Sequence, residues 1–168
     1  MQVGKRLGAR VIAVCSSEER AAFCRTLGAD EVIVYTREDL KQAIREWTGG
    51  HGADVVFETV GGDSFDACSR SMALDGRLLV VGFASGRLPV LPVNLTLVKA
   101  YAVVGVHWLT FVKRDPALHT VNMEELSGWL ERGELRPHLE TIVPLSSGVE
   151  ALKRLANREL IGKLVLKP

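Results

Sequence analysis

The chain has 168 residues, 47% of them apolar, enough to bury a sizeable core in one domain, or in one domain and a fragment. A formal net charge of +1, with both signs interspersed, excludes the strong electrostatic footprint of a nucleic-acid or anionic-membrane partner. No apolar run approaches ~20 residues and the N-terminus has no signal-peptide core, so no membrane span is expected.

Met1 to Gly8 reads as the second half of a helix leading into a strand. Arg10-Val-Ile-Ala-Val-Cys15 is a short β-branched run, the pattern of a strand buried on both faces of a parallel sheet. Ser16-Ser-Glu-Glu19 follows as a capping box in which Ser16 and Glu19 satisfy each other's amides. The helix it opens carries Ala21, Ala22, Cys24 and Leu27 at helical spacing and stops at Gly28. Glu31 to Tyr35 is the next strand, and Thr36-Arg-Glu-Asp39 caps a helix with Leu40, Ala43, Ile44 and Trp47. Ala53 to Phe57 is strand, Gly61-Gly-Asp63 a turn and cap, Phe65 to Leu74 a helix, and Arg77 to Val81 a strand ending at Gly82. Ser85 to Leu95 is loop-like, with Pro89 and Pro92 in extended backbone.

Tyr101 to Val106 reads as the last strand of the sheet, followed by a helix from about Ala117 to Arg132. After Gly133 the pattern changes: Ile142-Val143, a helix beginning near Ser147, then Lys163-Leu-Val-Leu166. Strands alternating with helices of about ten residues predict right-handed crossovers and a parallel sheet, an α/β fold.

Dinucleotide sheets bind ligands at the carboxyl ends of their strands, which selects Cys15–Ser17, Tyr35, Glu58–Gly62 and Gly82–Gly86. An NAD-selecting site places Asp or Glu after the second strand of such a unit. Here Cys15 and Ser16 stand there, with Ser17 and Arg20 beyond; hydroxyls and a guanidinium suit a 2′-phosphate, so the pattern favours NADPH over NADH. The competing reading makes Ser16 a helix cap and Arg20 a solvated first-turn residue. Tyr35 either stacks on adenine or packs, and Gly82-Phe-Ala-Ser-Gly86 is either a close ligand approach or a plain turn. Glu58 either lines a cofactor or caps the next helix, and His107 is either a structural residue or a substrate neighbour. Cys15, Cys24 and Cys68 match no zinc or redox spacing, and His51, His119 and His138 lack ligand partners, so no metal and reduced thiols of a cytoplasmic-type protein are expected.

The strings Ser16-Ser-Glu-Glu-Arg-Ala-Ala and Leu27-Gly-Ala-Asp-Glu-Val-Ile-Val-Tyr35 resemble the zinc-independent, zeta-crystallin-like quinone oxidoreductases of the medium-chain dehydrogenase/reductase superfamily. Asp54 to Gly62, Gly76 to Gly86, Val103 to Trp108 and Gly162 to Pro168 continue the resemblance through the chain in order. The resemblance implies a truncated Rossmann-type parallel sheet with helices on both faces, and NADPH-dependent reduction of a quinone or α,β-unsaturated carbonyl. It places Ser16, Ser17 and Arg20 at the adenosine 2′-phosphate, Arg20 standing where the family usually has lysine. It sets Tyr35 beside that phosphate, the backbone of Gly82, Phe83 and Ala84 on the nicotinamide side, and Lys163 near the cofactor on the returning C-terminal strand. No catalytic acid is assigned.

Relative to that family, the GroES-like domain, the first Rossmann strand and the glycine-rich loop do not appear in the sequence, so cofactor affinity is expected to fall steeply. Residues 1–133 correspond to a partial NADP-binding domain and 134–168 to a segment that in the family returns to the GroES-like domain. The resemblance implies a homodimer through the Tyr101–Val106 edge strand, and loss of the first strand would expose Val11–Cys15 as a second edge. A non-catalytic truncated isoform or fragment acting as a dimerising module is the alternative. The expected location is cytoplasmic, with the mitochondrion open for a longer parent.

Overall fold

Strand and helix alternate from Ile12 to Gly105 in a computed structural model that covers Met1–Pro168. In chain order these are α1 (Gln2–Arg6), β1 (Ile12–Cys15), α2 (Glu18–Thr26), β2 (Glu31–Val34), α3 (Leu40–Trp47), β3 (Ala53–Glu58), α4 (Gly62–Ser69), β4 (Met72–Val80), α5 (Asn94–Lys99) and β5 (Ala102–Gly105). α6 (Trp108–Arg114), α7 (Pro116–Glu131), β6 (Leu139–Pro144), α8 (Gly148–Ala156) and β7 (Lys163–Lys167) follow. Every ladder is parallel, as helical crossovers require: β1 with β2, β3 with β4, β4 with β5, and β6 with β7. This is the α/β arrangement the patterning predicts, carried by Rossmann-type parallel strands.

The main sheet, however, is split. β1 bonds only β2, and β3 bonds only β4 on its side of the β3–β4–β5 sheet, so each keeps an unpaired edge. Apolar packing joins the two halves. Ile33, Leu40, Ala43, Ile44, Phe65, Cys68, Met72, Leu78 and Tyr101 form one buried cluster, against which Ile12 of β1 and Val56 of β3 both pack. α3 shows why the pattern works: Leu40, Ala43 and Ile44 fall on one face and are buried, while the Asp39 side chain caps the helix by accepting the Gln42 N–H at 2.7 Å. Full burial of residues such as Leu40 and Ile44 contributes about 1.5–3 kcal/mol each.

Three local readings change. The α2 cap is Ser17, not Ser16: its hydroxyl accepts the Arg20 N–H at 3.3 Å. Arg20 therefore occupies the third helical position, where a capping box needs Glu or Gln, and Glu19 cannot reciprocate. The helix expected to run to Leu74 stops at Ser69, and Met72 already pairs with Ala53 in the ladder. Asp75 then adopts a left-handed φ of 58°, and pairing resumes at Val55 with Arg77, so residues 73–76 bulge out of β4. Gly52 permits the crossing, because a Cβ there would lie 2.7 Å from Met72 and Ala73 backbone atoms. The loop-like 85–95 stretch also runs into a short helix, α5, and α6 intervenes before α7; neither carries a buried apolar face that patterning could reveal.

β6, α8 and β7 form a small unit docked on α1 and α2. The Gln2 side chain donates to the Arg136 carbonyl at 2.9 Å and accepts the Arg136 N–H at 2.7 Å. Arg6 pairs with Glu134 at 2.8 Å, and the Phe23 and His138 rings lie 4.6 Å apart. No helix is long and apolar enough to cross a membrane.

Candidate functional site

Because the strands run parallel, their carboxyl ends, Cys15, Val34, Glu58 and Val80, line up along one edge. Two groups of residues sit there. The first gathers around the ends of β1 and β2. The Tyr35 N–H donates to the Cys15 carbonyl at 3.1 Å, and the Thr36 hydroxyl donates to the Ser16 carbonyl at 2.9 Å. Ser16, Ser17 and Tyr35 are thereby brought together, and Arg20 joins them through its backbone N–H on the Ser17 hydroxyl. The Tyr35 side chain is not part of the core, the residue being 47% exposed, which leaves its ring available to a ligand.

Capping does not exhaust Ser17. Its oxygen accepts the Arg20 N–H, yet a hydroxyl keeps one O–H to donate, and a phosphate oxygen is an acceptor. No carboxylate follows β1 directly; the nearest, Glu18, is turned to Arg37 at 2.9 Å. The Arg20 guanidinium is engaged within the chain, its Nη2 donating to the carbonyl oxygens of Arg158 and, at 2.9 Å, Leu160. Thr36 and Arg37 also belong to this group and escaped the sequence reading. Only the tertiary pairing of the β1 and β2 ends brings them there.

The second group lies over the ends of β3 and β4. The Ala84 N–H donates to the Thr59 carbonyl at 3.1 Å and the Ser85 N–H to Val60 at 2.8 Å. A Cβ at Gly82 would stand 3.2 Å from the Thr59 oxygen, so glycine lets these two loops touch. Phe83 is 44% exposed on this surface. Glu58 resolves to one of its two readings. It is buried, and its carboxylate accepts the Val60 N–H at 3.0 Å and the Gly61 N–H at 2.8 Å, which makes it the holder of the Gly61–Gly62 turn.

His107 is likewise structural, capping α6 through Nδ1, which lies 3.3 Å from the Thr110 amide nitrogen and 2.6 Å from its hydroxyl. Lys163 opens β7, its N–H on the His138 carbonyl at 3.0 Å, in the segment that Arg20 ties to α2 through Leu160. The structure thus joins Ser16, Ser17, Arg20 and Tyr35, keeps Gly82–Ala84 in a separate group, and links Lys163 to the first only through its own segment. Burial, with the Glu58 charge nearby, pushes the Cys68 thiol up to about 12, and burial beside Cys15 raises Cys24, so neither is a poised nucleophile. No three His, Cys, Asp or Glu side chains converge as a metal site would require.

Residues 1–123 match the family model described as zinc-binding dehydrogenase. The chain is 37% identical over 160 residues to a quinone oxidoreductase-like protein 2 homolog of Nematostella vectensis, covering 95% of this chain and 44% of that protein. It is 33% identical over 169 residues to a quinone oxidoreductase of Pseudomonas aeruginosa, covering 99% of this chain and 51% of that one. A mycobacterial protein solved in complex with NADPH superposes with a TM-score of 0.88 at 28% identity, over 99% of this chain and 52% of that structure. The chain spans about half the length of the curated relatives it matches.

Proposed function

Because the chain belongs to the zinc-binding dehydrogenase family, in the quinone oxidoreductase-like branch of the medium-chain dehydrogenase/reductases, we propose that it is the NADP-binding portion of an NADPH-dependent reductase of quinones or α,β-unsaturated carbonyls. One observation carries the cofactor choice. The end of β1 is followed by Ser16 and Ser17, with Arg20 in the first turn of α2 and Tyr35 on the adjoining strand end, and no carboxylate stands directly after the strand to hold a ribose hydroxyl pair. The residues fit the group: the Ser17 O–H and the Arg20 N–H groups donate to a 2′-phosphate, and the exposed Tyr35 ring lies beside it. When bound, NADPH supplies the hydride. The chain's own part is positioning, with the Gly82–Ala84 backbone, held by Thr59, as the surface that orients the nicotinamide. Lys163 approaches the same cofactor from the C-terminal unit.

In this reading residues 1–133 are the nucleotide-binding part and 134–168 a segment that completes a second domain in longer relatives. The uncovered apolar side chains of Val149, Leu152 and Leu155 on α8 support that division. The three free thiols favour a reducing compartment, the cytoplasm.

The test is a titration of the chain with NADPH and NADH, followed by nicotinamide fluorescence. The expected result is weak binding that prefers NADPH by at least about tenfold, roughly 1.4 kcal/mol, and no quinone turnover by these 168 residues alone. Equal affinities would sink the 2′-phosphate assignment, and robust turnover would sink the division of labour. A second reading, a dimerising module, is favoured by β5. It bonds only β4, and Val103, Val104 and Val106 beside its open edge remain more than a third exposed. Pairing with a second copy would cover that edge. Light scattering at micromolar concentration should give a dimer, and a monomer would refute this contact.

A further inference from the structure

We propose that Arg20 is shared between the cofactor's 2′-phosphate and the C-terminal unit, so that phosphate binding loosens the turn closing α8. The phosphate half of this statement rests on the function proposed above; the clamp on the turn stands on the hydrogen bonds alone. Nη2 of Arg20 donates to the carbonyls of both Arg158 and Leu160, 138 and 140 residues away in sequence. These contacts meet a turn that needs holding. Arg158 has a φ of 59° without being glycine, its N–H donates to Leu155 at 3.1 Å, and the Glu159 N–H donates to Arg154 at 3.0 Å. From the other side, the Glu140 carboxylate accepts the Ile161 N–H and the Arg154 guanidinium. The turn at 158–161 is therefore gripped between a cation on α2 and an anion on β6.

Guanidinium geometry makes a bidentate phosphate grip by Arg20 exclusive of its full hold on the turn. A bidentate grip on phosphate uses two parallel N–H groups from neighbouring nitrogens, either Nε with Nη2 or Nη1 with Nη2. Both pairs include Nη2, and both Nη2 hydrogens are committed to the carbonyls. A bidentate phosphate must take at least one of them. By reciprocity, a firmly docked C-terminal unit weakens the phosphate grip by the same factor.

Hydrogen exchange at the Glu159 and Ile161 amides tests this, measured on the chain alone, with adenosine 2′,5′-bisphosphate, and with 5′-AMP. The bisphosphate should accelerate exchange about tenfold, as loss of one charge-assisted hydrogen bond implies, and 5′-AMP should not. Without ligand, Arg20→Gln should produce the same acceleration and Arg20→Lys a smaller one, with amides of β4 unchanged as the control for folding. Unchanged exchange in Arg20→Gln overturns the clamp. Bisphosphate binding without acceleration overturns the sharing while leaving the phosphate site intact. Equal binding of bisphosphate and 5′-AMP overturns the phosphate site and the sharing with it.

Discussion

Replacing Glu58 with alanine removes both acceptors that hold the Gly61–Gly62 turn. The residue is 3% exposed, and its two oxygens accept the N–H groups of Val60 and Gly61 at 3.0 and 2.8 Å. The Gly61 contact is fully buried, so water cannot readily replace the lost oxygen there. An orphaned buried donor costs about 1–3 kcal/mol, and Val60, partly exposed, should recover part of its loss through water. The expected destabilisation is roughly 2–4 kcal/mol. Urea unfolding measures it, with an unchanged slope showing that the same surface is exposed. Glu58→Gln sharpens the argument, since it keeps one acceptor and turns an NH₂ group toward the other amide; it should lose about half as much or more. A Glu58→Ala variant within ~0.5 kcal/mol of the parent would refute the assignment. So would a Gln variant of parental stability with weakened cofactor binding, the outcome expected if Glu58 lined the ligand.

Tyr101 is 4% exposed and its hydroxyl has no partner, so Tyr101→Phe should stabilise the chain by about 1–2 kcal/mol and raise Tm by about 2–4 °C per kcal/mol in calorimetry; destabilisation would reveal a hidden partner. Cys68 is held protonated in the fold, its thiol pushed from 9.0 to about 12 by burial first and the Glu58 charge second. Its contribution is complete below pH 9, where both states are protonated, and is lost as pH rises toward 12, because the unfolded chain releases the proton first. Over that window Cys68→Ala should show a shallower decline in stability than the parent, by up to about 1.4 kcal/mol per pH unit, and an equal decline would remove the burial argument. Gly52→Ala should destabilise strongly in thermal unfolding, since φ is 96° and the new Cβ would meet backbone at 2.7 Å; a neutral result would contradict the close crossing at β4.

The alternation of elements was legible because burial writes itself into the sequence. Leu40, Ala43 and Ile44 mark one face of α3, and a β-branched run marks the buried β2, whereas β1, read as buried on both faces, and β3 bury no apolar side chain beside their unpaired edges. What patterning could not show depends on contacts between distant segments. The Ser-x-x-Glu spacing selects Ser16 as the cap in the sequence; only the helix start at Glu18 decides for Ser17. The bulge at 73–76 accompanies the close approach of Gly52 to Met72, and no sequence break separates the end of α4 at Ser69 from it. Arg20 is the instructive case. Its residue type pointed to phosphate, but its carbonyl partners lie in the last turn before β7, where no local pattern leads. Likewise Glu58 and His107 look like site residues because they end strands, and their hydrogen bonds show them holding loops.

In the proposed function the ends of β1 and β2 recognise a 2′-phosphate. Calorimetric titration of the chain with adenosine 2′,5′-bisphosphate and with 5′-AMP tests it without the nicotinamide half of the cofactor. The expected result is a preference of about tenfold or more for the bisphosphate, and its collapse toward unity in Arg20→Ala. Equal affinity for the two nucleotides in the parent chain would contradict it.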